Sequence, residues 1–231
     1  MKQRCLSTLK SIALVLGLGL LPGAVSTGSA LAAEPTLDGA QWIWHDGAGE
    51  DAGTWYFQKE LAFPAGQKPK SARLLMTCDN LWTLFVNGEL AGQNDMGSDS
   101  WKRPQSVDVT KHLVIEKNAI AIEGTNTIPG PAGLLAKLVV DFEGGEETFI
   151  LTTDKTWIST DRPEKGWQDN GFTAGPNWKP VRVIGPYGIA PWAKPPIGGE
   201  APVPGGPARP PQPVVFQIDD AELENPIYQY G

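Results

Sequence analysis

Tryptophan, Asx and carboxylate side chains are the groups here with most to offer chemically. Nine of the 231 residues are tryptophan. An exposed tryptophan presents a flat apolar face to the C–H face of a sugar ring, while Asn, Asp and Arg beside it bind hydroxyls. Trp101 has such a setting, because it follows the polar run from Gly92 to Ser100 and precedes Lys102-Arg103. Its alternative role is to plug one end of the fold. Asp79, Asn80 and Asn126 fall at the ends of strand-like runs. There they either hydrogen-bond their own turn backbone or project to recognise hydroxyls. Trp101, Asp79, Asn80 and Asn126 are therefore the candidate ligand-binding residues. Trp82 shares one face of its run with Leu84 and Val86 and reads as core.

Other constellations offer less. Asp46, Glu50 and Asp51 lie in an acidic, glycine-rich loop that offers oxygens to a structural calcium, without the spacing of an EF-hand. A solvated loop is the alternative, and no other cofactor is suggested. His45 and His112 are the two histidines, and neither accompanies a G-x-S-x-G elbow. No zinc, P-loop or H-E-x-x-H motif occurs. The carboxylates contain no pair that stands out as a glycosidase acid and base. These readings point away from an enzyme. Cys78 ends an apolar run and reads as a small buried residue, with no basic neighbour in sequence to activate it.

The elements that would position these groups are strands. Gln41 to Trp44, Thr54 to Phe63, Ala72 to Cys78, Leu81 to Val86, Glu89 to Gly92 and Ser106 to Val109 carry β-branched and aromatic residues between turn signals. So do Asn118 to Gly124, Leu134 to Phe142, Thr148 to Leu151 and Thr156 to Ser159. Asn87-Gly88 suits a two-residue hairpin. Thr110 is placed to cap one helical turn over Lys111 to Leu113. Short strands without intervening helices predict an antiparallel β-sandwich or barrel. Before the strands, residues 1–32 have the layout of a secretory signal. Lys2, Arg4 and Lys10 precede an apolar stretch, and Ala30-Leu31-Ala32 is a cleavage site. Residues 193–231 are rich in proline and glycine and read as a mobile linker with an acidic end. Net charge is −7, which disfavours nucleic acid and anionic membranes as partners. After signal cleavage no membrane insertion is expected. The expected location is extracytoplasmic: periplasmic, cell-surface or secreted.

Several of these motifs arrive in a recognisable order. They are Trp42-Ile43-Trp44, Trp55-Tyr56-Phe57-Gln58-Lys59, the run from Thr77 to Gly88, Asp108-Val109-Thr110, Asn118 to Glu123, Gly133 to Ala136, and Thr153-Asp154-Lys155-Thr156-Trp157. Over about residues 37–192 the chain resembles the galactose-binding-like β-sandwich of bacterial α-L-rhamnosidases, family 2 glycoside hydrolases and planctomycete-type exported proteins. Gln58 stands where that family usually has Arg, and Lys117 where it usually has Gly. The resemblance implies an all-β jelly roll. It also implies a non-catalytic module, because the helical barrel that carries the rhamnosidase carboxylates has no counterpart here. Carbohydrate is the implied ligand class. The alternatives are a structural or protein-interaction domain with another exported protein as partner, or an accessory chain of a glycoside hydrolase. The fold itself hosts all three roles.

Overall fold

The computed structural model describes residues 36–94, 99–145 and 147–197. The expected signal, and the tail from residue 198 onward, lie outside the described residues. Twelve strands are present among them: β1 (Gln41–Trp44), β2 (Gly53–Ala62), β3 (Pro69–Asp79), β4 (Leu81–Val86), β5 (Glu89–Gln93), β6 (Gln105–Asp108), β7 (Lys117–Asn126), β8 (Gly133–Phe142), β9 (Phe149–Thr152), β10 (Ile158–Thr160), β11 (Lys179–Pro180) and β12 (Arg182–Pro186). The helical content of the described residues is two single 3₁₀ turns, Ser100–Lys102 and Thr110–His112. None of their helices is long and apolar enough to cross a membrane.

All pairings are antiparallel. One sheet runs β12-β1-β8-β3-β6, with β9 also on β8, and the other runs β11-β10-β2-β7-β4-β5. The protein is thus a β-sandwich of two antiparallel sheets. The period-2 alternation explains why. In β4, Trp82, Leu84 and Val86 are buried while Leu81, Thr83 and Phe85 are half-buried. Leu74, Met76 and Cys78 of β3 and Leu134, Ala136, Leu138 and Val140 of β8 join the same inter-sheet core. Asn87 (φ 52°) and Gly88 (φ 86°) both take the left-handed backbone that the β4–β5 hairpin demands.

Thr110 does not cap its turn. It lies inside the turn, and its N–H donates to Asp108 Oδ1 at 3.0 Å. The Thr110 hydroxyl instead accepts the Ala72 N–H at 2.8 Å and ties the turn to β3.

Both outer faces are partly covered by segments without strand periodicity. Outside the β1/β8/β3 sheet, Trp42, Leu75 and Leu135 form an apolar patch closed by Trp192. The Trp42 and Trp192 rings stack with centroids 4.4 Å apart. Outside the other sheet, Trp167 and Trp178 lie over Ala121, with Tyr56, Phe85, Ile158 and Phe172 around them. The Gln58 amide donates to the Trp167 carbonyl at 2.9 Å. Gln58, unusual by the sequence resemblance, is therefore the buried clip for this cover.

Candidate functional site: the loop end of the sandwich

β3 stops at Asp79 and β4 starts at Leu81, so Asn80 alone makes the corner between the two sheets. The Asp79–Asn80 peptide bond is cis. β7 ends at Asn126 and β5 at Gln93, and the register shows that these ends are neighbours. Leu81 pairs with Thr125, Gly53 with Asn126, and Thr83 with Gln93. One end of the sandwich thus collects the candidate residues that were far apart in sequence.

Asn80 is the hub. Its N–H donates to the Thr125 carbonyl at 2.9 Å. Its side-chain oxygen accepts the Thr127 N–H and hydroxyl, both at 2.8 Å. Its amide donates to Asp79 Oδ1 at 2.7 Å. Its carbonyl accepts the Asn94 amide at 2.9 Å and the Ser100 hydroxyl. Asn94 in turn accepts the Trp82 N–H at 2.8 Å. Asn126 spends its amide on the carbonyls of Asp51, at 3.0 Å, and Gly130, at 3.4 Å. Asn80, Asn94 and Asn126 are all buried. Three loops are thereby pinned to one another by amide side chains, as buried polar groups require.

Asp79 is the charged group of this end. It is buried, and its second oxygen accepts the Trp192 indole N–H at 2.8 Å. Burial pushes its carboxyl up to about 6. Asp99 adds to that, while the hydrogen bonds from Trp192 and Asn80 and the charge of Lys102 oppose it. Trp101 is half-buried on the adjoining 3₁₀ turn, against the Trp42/Trp192 patch. Its carbonyl accepts the Thr77 hydroxyl at 2.9 Å, and the Lys102 ammonium sits 5.3 Å from its ring centroid. Lys102 beside it is exposed.

The structure therefore brings Asp79, Asn80, Asn126 and Trp101 to one end of the molecule. Of the two roles open to the Asx groups, the structure shows hydrogen bonding within the protein: Asn80 and Asn126 bond neighbouring loops, and Asp79 bonds Asn80 and Trp192. Trp192, Asn94 and Thr127 belong to this end and were not singled out in the sequence. Asn94 had a visible signal, as an Asx directly after a strand. Trp192 had none, because its partners Trp42 and Asp79 lie more than a hundred positions earlier.

The acidic loop is close by, since the Glu50 carbonyl accepts the Gly130 N–H at 2.8 Å. Asp46, Glu50 and Asp51 are exposed. No group of three or more His, Cys, Asp and Glu among the described residues is placed to hold a metal ion. His45 Nδ1 lies 3.0 Å from the Ser159 hydroxyl, and burial lowers its pKa. Ser159 is fully buried, whereas His45 is half-exposed. His112 Nδ1 lies 2.9 Å from Glu89 and its carbonyl accepts the Asn87 amide.

Comparison with known proteins agrees with this architecture. No family model matches the chain. An α-L-rhamnosidase from Streptomyces avermitilis is 30% identical over 178 residues, covering 74% of this chain. The chain spans 17% of the length of that curated relative. The crystal structure of the S. avermitilis enzyme complexed with L-rhamnose superposes with a TM-score of 0.62 at 28% identity, over 74% of this chain and 16% of that one. A lectin from Pleurotus ostreatus, solved in complex with GalNAc, superposes with a TM-score of 0.63 at 26% identity, over 73% of this chain and 50% of that one. Two antiparallel sheets, the ordered motifs and these likenesses together identify the chain as a galactose-binding-like β-sandwich.

Proposed function

We propose that this protein is an exported, non-catalytic carbohydrate-binding module whose site is the loop end around Trp101. The observation that carries the reading is the convergence there of a half-buried tryptophan with loops tied together by Asn80, Asn94 and Asn126. Preorganised loops bearing one aromatic platform are suited to a sugar, since little ordering entropy is lost on binding. Trp101 is the stacking residue. Asp79, Asn80 and Asn126 are positioning residues, and Thr127, Lys102 and the backbone around them meet the hydroxyls. Similarity to a lectin solved with GalNAc supports the ligand class. Export rests on the leader-like residues 1–32.

A second reading is an accessory module working beside a glycoside hydrolase. The match to a 17% portion of a rhamnosidase favours it. Both readings require sugar binding, and one experiment tests that. The purified protein and its Trp101→Ala variant are screened on a glycan array, with thermal melts to show that both are folded. Specific binding by the wild type that is lost in the folded variant is the expected result. A wild type that binds no glycan overturns the carbohydrate reading.

A further inference from the structure

A groove lies away from the loop end, at the edge of β2. β2 is ten residues long but β10 is three, and β10 covers β2 only at Tyr56, Phe57 and Gln58. Beyond Gln58 the β2 edge has no strand beside it among the described residues. A groove of about 490 Å³ opens there, lined by Gln58, Lys59, Glu60, Lys117, Thr156 and Phe172 among others. That volume is in the range of small-ligand sites, roughly 300–1,000 Å³.

The groove is built rather than incidental. The Lys59 ammonium donates to the Thr156 hydroxyl at 2.7 Å and to its carbonyl at 3.3 Å. An ammonium has three donors, so one is left for a ligand. The far wall is pinned by Asn170, whose amide donates to the Lys117 carbonyl at 2.7 Å. Phe172 packs on Trp178 with centroids 5.6 Å apart and stays half-exposed. Lys117 is exposed and forms no ion pair among the described residues.

We infer that this groove binds an acidic saccharide through a uronic-acid unit. Each lining group then has a role. Lys117 takes the carboxylate, the spare donor of Lys59 meets a hydroxyl at the strand edge, the Phe172 ring meets the C–H face of the sugar, and Glu60 accepts hydroxyls. A bare phosphate would use neither the ring nor Glu60. A dense polyanion would meet the protein's net charge of −7. A sugar with a single carboxylate per ring suits the one exposed lysine of the groove, Lys117.

The groove shares no residue with the loop end and does not rest on that reading. Its test is calorimetric titration of the purified full chain with digalacturonate and with its methyl ester. The wild type is expected to bind the acid, to bind it less well at 500 mM than at 50 mM salt, and to bind the ester far more weakly. Lys117→Gln, an exposed change, is expected to weaken binding by about tenfold, and Lys117→Arg to retain most of it. Trp101→Ala is expected to leave it unchanged. Absence of binding, equal binding of acid and ester, or full affinity in Lys117→Gln overturns the proposal. So does loss of uronate binding in Trp101→Ala, which would move the ligand to the loop end.

Discussion

At the scale of residues, the loop end turns on a carboxylate kept where burial opposes its charge. The folded protein holds the Asp79 proton up to about pH 6, whereas an unfolded chain releases it near pH 3.9. The native state therefore binds the proton more tightly. Stability contributed by this group is complete below about pH 4, falls as pH rises to about 6, and is flat above. The total change is up to about 3 kcal/mol. Asp79→Asn removes the titration. It also places an amide group beside the donors of Trp192 and Asn80, so its absolute stability is a poor guide. The informative quantity is the difference between variant and wild type, which should shift in favour of the variant by up to about 3 kcal/mol between pH 4 and pH 7. Urea denaturation at both pH values measures it, and parallel behaviour of the two proteins would refute the assignment. Asp79, Asn80, Asn126 and Trp101 were legible in the sequence as strand-end and loop residues. The inward direction of the amides was not. An Asx side chain bonds whichever backbone groups the neighbouring loops bring, and those loops are distant in sequence.

At the scale of elements, strands and covers behave differently. The strands were legible to within a few residues because alternate burial imposes a period of two. β11 and β12 were not, since Lys179–Pro180 and Arg182–Pro186 carry no clean alternation. The covers were equally invisible. Trp167 and Trp192 are single anchors in irregular chain, and each makes sense only against a sheet face formed elsewhere. Trp192 closes the outer patch by stacking on Trp42 and donating to Asp79. Gly133 leaves room for it, because a Cβ there would stand 2.8 Å from Trp42 and 3.2 Å from Trp192. Trp192→Ala should cost about 3–5 kcal/mol of folding stability and alter the pH dependence set by Asp79, since it removes both a hydrogen bond that favours the ionised form and part of the burial that opposes it. Chemical denaturation and a pH titration of stability check the two effects. A loss below about 1 kcal/mol would mean the cover contributes little to the native state.

At the scale of the whole molecule, one core between two sheets governs access to the interior. Cys78 sits in that core, fully buried, and burial, aided by Asp79, raises its thiol well above the ordinary value. A thiol reagent should therefore label the folded protein only as fast as the sandwich opens. The expected signature is a labelling rate that tracks the unfolding rate across denaturant. Rapid labelling in buffer would show a local opening beside Asp79. Alternation of apolar residues, turn signals and motif order determined by themselves that this chain forms an antiparallel β-sandwich, because those signals are local or strictly ordered along the chain. Which end became a site, which amides turned inward, which tryptophans became covers and where the β2 edge stayed open were decided only by the tertiary structure. Each depends on pairing between segments more than about ten residues apart, and a hydrogen bond or ring stack across that separation leaves no periodic mark on either partner.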